Sequence, residues 1–336
     1  DHLIPVQAGI TIILLYKNFS RDIEENAVRG DCKKMRNVLI TGEALSTRRL
    51  GLVLLVASFS FLAGCAGGLT QSARQALSVV VPHDIDFEEL HYYAVRSESA
   101  YDEHAEIRKT YPDVTRVVTL SDVNVRYFIE TDTAAKTQTV SVRGTASKPN
   151  IWQDLETTLV NDSILGHAIH GGFQKDARSV WNDAKPHLRE DYSIRVTGHS
   201  LGAAVALLVG AYAHAEGYNV TRIVNFGQPK VTTDEVDIQL PEKITRVIDD
   251  EDVVPMVPPP GIVHPYRHIG PEVILRPESD FVYLDDHDVD RVTVDDFWRD
   301  FANFSVEEHF MVNYLANIEF KLKNGARQVP YLIAGN

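Results

Sequence analysis

The sequence has little cysteine and far less basic than acidic charge, and each shortage excludes a class of protein. Its 336 residues include only two cysteines, Cys32 and Cys65. The chain after residue 65 therefore cannot build a disulfide scaffold or a cysteine-ligated zinc site. Lys and Arg total 33 against 47 Asp and Glu, which gives a net charge of -14. A protein that binds nucleic acid through its phosphates needs a basic surface, so we expect no nucleic-acid partner.

The segment that starts at the first methionine, Met35, has the anatomy of an export signal. A stretch with arginines is followed by an apolar run and then by small residues. The run is shorter than the roughly 18 residues of a membrane span. It ends in Leu62-Ala63-Gly64-Cys65, which resembles the bacterial lipobox, whose cysteine is acylated and becomes the mature N-terminus. We interpret 35–65 as a lipoprotein signal peptide; a short buried helix is the alternative.

This interpretation divides the chain into four parts. Residues 1–34 lie upstream of the expected native start and are interpreted as upstream or vector-derived sequence. Residues 66–86 form a tether and entry segment, since they begin with small and polar side chains. Residues 87–336 show no internal repeat and no second linker, so they are expected to form one domain. The protein is then expected to be exported, and either anchored to the bacterial cell envelope at Cys65 or secreted.

The body of the chain alternates between strand and helix patterns. A helical stripe runs from Phe87 to Ile107, and apolar residues at 3.6-residue spacing predict a helix over 172–188. An almost wholly apolar run predicts a buried helix, and the C-terminal region predicts two more helices. This alternation indicates an α/β protein with a mostly parallel mixed sheet covered by helices. The predicted strands are Val114–Leu120, Val123–Glu130, Gln138–Arg143, Ser193–Thr197, Arg222–Phe226 and Ile244–Ile248, and the other helices are Leu201–Ala215, Val294–Phe304 and Glu307–Leu322.

A Gly-x-Ser-x-Gly motif lies between a predicted strand and the apolar helix. It reads Gly198-His199-Ser200-Leu201-Gly202, and its glycines permit the sharp turn that exposes the serine hydroxyl. Alone the motif is weak evidence for a catalytic serine. A strand before it and a helix after it are, however, the context that a nucleophile elbow requires. Ser200 is the candidate nucleophile; the alternative is a structural serine in a glycine-lined turn.

An elbow serine needs an acid and a base, which follow it in the chain order Ser, Asp/Glu, His of α/β-hydrolases. Four acids compete in 249–252, directly after a predicted strand. The histidines beyond them are His264, His268, His287 and His309. The first two fall in a proline-rich turn and a predicted strand and are interpreted as structural. His287 falls in an acidic loop, and His309 is predicted to open the last helix.

At these residues the sequence resembles the class 3 (fungal-type triacylglycerol) lipases. Their acid occurs in an Asp-x-Val-Pro pattern, which Asp252-Val253-Val254-Pro255 matches. The resemblance therefore selects Asp252, with Asp249 as the first reserve. The stretch from His309 to Tyr314 resembles the family's histidine region, which selects His309 as the base. The implied fold is the α/β-hydrolase fold.

The resemblance extends to the segment before the elbow. Arg143-Gly144-Thr145 matches the family's oxyanion segment, which implies that Thr145 and the Leu201 N–H hold the oxyanion. A plain strand end is the alternative for this tripeptide. Residues 146–155 fall where these lipases carry a lid, with Trp152 facing the active site and Asp154 steadying Thr145. A core position is the alternative for Trp152.

The implied activity is hydrolysis of carboxylic esters, most directly of triacylglycerols, through a Ser-Asp-His triad and an acyl-enzyme. Phospholipase A1, short-chain or feruloyl-type esterase and acyltransferase are rivals on the same scaffold. A non-catalytic lipid-binding envelope lipoprotein is the rival of another class. Neither an organic cofactor nor a metal is expected in the chemistry. Asp286, Asp288 and Asp290 open an EF-hand-like pattern, but Arg291 and Phe297 replace its Gly and Glu, so a solvated acidic loop is preferred to a calcium site.

Overall fold

A computed structural model describes residues 75–144, 158–233, 240, 243–250, 252–257, 266–285 and 308–332. The chain separates into two units, Asp1–Gly68 and Leu69–Asn336, and all of the described residues belong to the second. None of the helices in the described ranges has both the length and the hydrophobicity that a membrane span requires.

Five α-helices, two short 3-10 helices (Lys185–His187 and Val254–Met256) and eleven strands are assigned in the described ranges. In chain order the helices are α1 (Phe87–Ser99), α2 (His104–Thr110), α3 (Gly171–Ala184), α4 (Leu201–Ala215) and α5 (Met311–Asn324). The strands are β1 (Val114–Leu120), β2 (Val125–Asp132), β3 (Thr137–Val142), β4 (Leu159–Asn161), β5 (Ala168–His170), β6 (Ser193–His199), β7 (Asn219–Phe226), β8 (Ile244–Asp249), β9 (Glu272–Leu275), β10 (Asp280–Leu284) and β11 (Arg327–Gln328).

A nine-stranded mixed sheet in the order β1-β2-β3-β6-β7-β8-β9-β10-β11 organises the domain. Its centre, from β3 through β9, is parallel. The antiparallel pairs β1–β2, β2–β3 and β9–β10 lie on either side of that centre. Strands β4 and β5 form a separate antiparallel pair. The carboxyl ends of the parallel strands meet at one edge of the sheet, which is where α/β folds place their sites.

Helices cover both faces of the sheet because neighbouring residues of each strand point to opposite sides. Ile223 packs in a core cluster with residues of α3 and α4. Its neighbour Val224 packs in a different cluster, with residues of α1 and α5. The β9–β10 hairpin carries a smaller cluster in which Leu77, before α1, is buried.

Helix α4 is buried almost all round, as its apolar sequence predicts. Gly210 lets the helix approach the sheet closely. A Cβ atom at this position would lie 2.5 Å from Ile223 Cδ1 and 3.2 Å from Ile223 Cγ1. The helix directly after the elbow is therefore held tightly against the strands that flank it.

The main differences between the structure and the sequence predictions are these. The stripe from Phe87 to Ile107 is two helices, since α1 ends at Ser99 and α2 begins at His104. The last helix begins at Met311 rather than Glu307, so His309 lies in a turn before it. Strands β4, β5, β9, β10 and β11 were not predicted from their sequence. The predicted helix Val294–Phe304 lies outside the described residues.

We expect Gly210→Leu to lower the free energy of unfolding by about 1–3 kcal/mol, because the new side chain overpacks the contact with Ile223. Urea denaturation measures the change. Ala215→Leu is the control, since Ala215 is exposed on the same helix. Equal stability of the two variants would contradict the close helix–sheet packing.

Candidate active site

Ser200 lies at a strained turn between β6 and α4. Its backbone has φ 60° and ψ -132°, a conformation that costs a non-glycine residue about 1–3 kcal/mol. The Ser200 N–H donates to the Phe226 carbonyl at 3.0 Å, and the Ala203 N–H donates to the Ser200 carbonyl at 2.9 Å. A Cβ atom at Gly198 would come 2.6 Å from the Gly202 carbonyl carbon, and one at Gly202 would come 2.6 Å from the Arg143 carbonyl carbon, so both glycines of the motif are needed for the turn.

His309 and Asp252 form a buried hydrogen-bonded pair. His309 Nδ1 lies 2.8 Å from Asp252 Oδ2. The two residues are only 1% and 2% exposed. A carboxylate accepts hydrogen bonds, so Nδ1 carries the proton and donates it. The pair fixes both the tautomer and the orientation of the imidazole ring.

Further donors hold Asp252 in its ionised form. The Val254 N–H donates to its Oδ1 at 2.8 Å, and the Tyr314 hydroxyl donates to its Oδ2. Burial alone would raise the pKa of this carboxyl, but His309 and these two donors together lower it below its ordinary value. Asp252 therefore stays negatively charged although it is buried.

The other imidazole nitrogen, His309 Nε2, is buried and has no hydrogen-bond partner among the described residues. Because Nδ1 carries the proton, Nε2 presents a lone pair. The His309 ring lies beside the elbow, 4.5 Å between ring centroids from His199, the residue before Ser200. The arrangement can therefore accept a proton at Nε2 and stabilise the resulting imidazolium through Asp252.

Gly227 leaves room for this pair. It adopts φ +55°, and a Cβ atom here would lie 2.8 Å from both Asp252 Oδ2 and His309 Cε1. This glycine was not predicted from the sequence as a site residue. The available signal was its position directly after β7, next to the strand that carries the elbow.

Asp249, the first reserve for the acid, is not the carboxylate that accepts the hydrogen bond from His309 Nδ1. It ends β8 and is only 7% exposed, so it is not a solvated surface carboxylate. Burial raises its pKa to about 7, and the nearby Glu308 and Asp252 act in the same direction, while a hydrogen bond with Asn317 opposes them. Of these two carboxylates, the structure pairs Asp252 with the imidazole.

The remaining predicted residues are placed as follows. Leu201 is the first residue of α4, directly after Ser200. His268 is buried, and its Nε2 lies 2.8 Å from the Pro255 carbonyl rather than from a candidate acid. No group of three or more His, Cys, Asp or Glu side chains suited to a metal occurs in the described ranges. Thr145, Trp152, Asp154, Cys65, His264, His287 and Asp286–Asp290 lie outside the described residues.

Comparison with known proteins yields a family match at this site. Residues 139–261 match the family model described as Lipase (class 3). Over these residues the chain is similar to the class 3 lipases. The match covers the elbow and Asp252 and agrees with the resemblance that the sequence motifs indicated.

Two curated relatives and one solved structure extend the comparison. "Secreted mono- and diacylglycerol lipase 1" of Fusarium solani is 31% identical over 44% of this chain and 46% of its own length. "Lipase" of Rhizopus niveus is 28% identical over 58% of this chain and 57% of its own. The chain thus spans about half the length of these curated relatives. The crystal structure of a lipase from Rhizopus microsporus var. chinensis aligns with TM-score 0.51 and 27% identity over 58% of this chain and 76% of that one. The described architecture and this likeness confirm the α/β-hydrolase fold.

We expect Gly227→Ala to break the hydrogen bond between Asp252 and His309, since the methyl group would overlap both residues. The far-downfield proton NMR resonance of the Nδ1 proton should be lost. Gly166→Ala is the matched control: Gly166 also has positive φ, at +75°, but has nothing within 4 Å of its added Cβ. Gly166→Ala should keep the resonance and lower the free energy of unfolding by only about 1–2 kcal/mol, the cost of a left-handed backbone at alanine. An unchanged resonance in Gly227→Ala would contradict the geometry.

We expect Asp249→Asn to stabilise the protein more as pH rises from about 4 to about 8. A folded pKa raised to about 7 means that the folded state binds more protons than the unfolded state between these limits. The wild type therefore loses stability through that window, by a few kcal/mol at most, at about 1.4 kcal/mol per pKa unit. Chemical denaturation at several pH values measures it, with exposed Asp191→Asn as the control. If Asp249→Asn changes the free energy of unfolding by the same amount at pH 4 and at pH 8, the raised pKa is contradicted.

Proposed function

We propose that this protein is a serine hydrolase of carboxylic esters and acts as a lipase. The observation that carries the proposal is the hydrogen bond between His309 Nδ1 and Asp252 Oδ2, which leaves Nε2 beside the strained Ser200 turn with no hydrogen-bond partner in the part of the chain that the structure describes. A serine on an elbow, a base with one free nitrogen and a buried acid are the parts that nucleophilic acyl transfer needs.

In the proposed reaction His309 Nε2 takes the proton of Ser200 Oγ as that oxygen attacks the ester carbonyl. Asp252 stabilises the imidazolium without taking its proton. The imidazolium then protonates the leaving alkoxide, and the carbon–oxygen bond of the ester breaks to leave an acyl-Ser200. Water, deprotonated by the same nitrogen, releases the acid and restores the serine.

The developing oxyanion needs fixed donors. We assign this role to the Leu201 N–H, at the start of α4, and to Thr145. Each donor removed from such a site costs about 2.7–4 kcal/mol of transition-state stabilisation. Residues 146–155 are assigned as the lid, with Trp152 facing the site and Asp154 steadying Thr145. These assignments rest on the family resemblance.

Acylglycerols are the proposed substrates. Two relatives are named as mono- and diacylglycerol lipases and others as lipases, and the matched segment includes the elbow. Phospholipase A1 and short-chain or feruloyl-type esterase activities would use the same machinery, and acyl-chain and head-group selectivity separates them. A non-catalytic lipid-binding lipoprotein is excluded if Ser200 reacts covalently with an organophosphonate.

We also propose that the protein is exported. Two relatives carry "secreted" in their names, and 35–65 has the order of a signal peptide. Acylation at Cys65 would tether the enzyme to a membrane surface, near its substrate. The named relatives are fungal, so the bacterial type of anchor rests on the Leu62–Cys65 pattern alone.

We expect Ser200→Ala to lower kcat on p-nitrophenyl esters by about 10⁴-fold or more, because no other nucleophile replaces the hydroxyl. Esters from acetyl to palmitoyl distinguish a lipase, active on long chains, from a short-chain esterase. Ser179→Ala is the control, since its hydroxyl bonds Asp122 at the surface. Turnover that survives in Ser200→Ala, or absence of wild-type turnover, would overturn the proposed function.

A further inference from the structure

A buried hydrogen-bond path that the proposed chemistry does not use passes through His199. This residue is the last of β6, lies directly before Ser200 and is only 4% exposed. Its Nε2 lies 2.7 Å from the main-chain carbonyl oxygen of His309, and its Nδ1 lies 2.8 Å from the Tyr101 hydroxyl. Both ring nitrogens therefore have defined partners within the protein.

The direction of each hydrogen bond in the path is fixed. A carbonyl oxygen can only accept, so His199 Nε2 carries the proton and donates it to His309. In the neutral ring Nδ1 is then the acceptor, and the Tyr101 hydroxyl is its donor. Burial lowers the pKa of His199 to about 3, and the neighbouring His309 acts in the same direction. The ring stays neutral and keeps this tautomer near neutral pH.

Tyr101 also contacts the segment before Thr145. Its hydroxyl lies against Gly144, where an added Cβ atom would overlap the hydroxyl oxygen. Gly144 also lies against the elbow, since a Cβ atom there would be 3.0 Å from Ser200 Cβ. Two hydrogen bonds thus join Tyr101, the residue before the nucleophile and the main chain of His309, and Tyr101 packs against Gly144.

His309 needs such an anchor because no helix holds its backbone. It lies in the turn of residues 308–310, before α5 begins at Met311. Asp252 holds the imidazole ring, while His199 holds the main-chain carbonyl of the same residue. A catalytic group stays within the required geometry only when neighbouring groups restrict it in this way.

We propose that His199 and Tyr101 are positioning residues for ester hydrolysis, which hold the His309 main chain beside the Ser200 turn so that Nε2 can reach the serine during the reaction. The inference rests on the proposed function. Neither residue exchanges a proton with substrate. Their effect is on the rate of the chemical step, because a displacement of about 1 Å at a catalytic group can cost about 100-fold in rate.

Three substitutions test the path in the full-length protein. His199→Phe removes the donor to the His309 carbonyl and the acceptor for Tyr101. His199→Gln retains an amide N–H close to the position of Nε2 and should rescue much of the rate. Tyr101→Phe keeps the ring and removes only the hydroxyl. Tyr92→Phe is the matched control, since its hydroxyl bonds Thr139 Oγ1 from the neighbouring helix.

On a soluble short-chain ester we expect His199→Phe to lower kcat by about 10–100-fold with little change in KM. Tyr101→Phe should lower it less, and His199→Gln should recover most of the loss. The downfield resonance of the His309 Nδ1 proton should broaden or shift in His199→Phe and return in His199→Gln. Tyr92→Phe should match the wild type in both readouts.

Wild-type kcat and an unchanged resonance in folded His199→Phe would overturn the inference. If that variant does not fold, wild-type kcat in both Tyr101→Phe and His199→Gln, with an unchanged resonance, would overturn it equally. If His199→Gln and His199→Phe lower kcat equally, the role of His199 is packing, and the inference is contradicted as well. Failure of the proposed function is distinct, since the wild type itself would then show no Ser200-dependent turnover.

Discussion

The hydrogen bond between Asp252 and His309 is the interaction on which the site depends. It joins two side chains that are almost completely buried. A buried carboxylate is costly without partners, and here the imidazole, the Tyr314 hydroxyl and the Val254 N–H together keep it ionised. The same bond fixes the proton on Nδ1 and so leaves Nε2 as the basic atom. Loss of either partner would leave an unpaired polar group in the interior.

The fold supplies this pair with its surroundings. The carboxyl ends of β6 and β8 bring the elbow and the acid to one edge of the sheet, and α5 places Tyr314 against the acid. Gly227, after β7, leaves the space that the two side chains occupy. The strained backbone of Ser200 is tolerated because the tightly packed helix α4 and the bond to the Phe226 carbonyl hold it.

The sequence predicted the parts of the molecule that have a strong local signal. The elbow and helix α4 follow from glycine spacing and an unbroken apolar run, and both bounds of that helix agree with the structure. The β9–β10 hairpin was missed because its acidic and polar flanks resemble a loop. The choice between Asp249 and Asp252 needed a family pattern, since both follow the predicted strand Ile244–Ile248 closely. The roles of Gly227, Tyr101 and His199 depend on contacts between distant segments, which no local pattern records.

The measurement that tests the account most directly is the rate at which an organophosphonate labels Ser200 in Asp252→Asn and in Asp249→Asn. The account predicts that Asp252→Asn slows labelling by about 10⁴-fold, because the imidazole loses the partner that fixes its tautomer and stabilises its cation. Asp249→Asn should label at close to the wild-type rate. Rapid labelling of Asp252→Asn together with slow labelling of Asp249→Asn would contradict the account, because it would identify Asp249 rather than Asp252 as the acid of the triad.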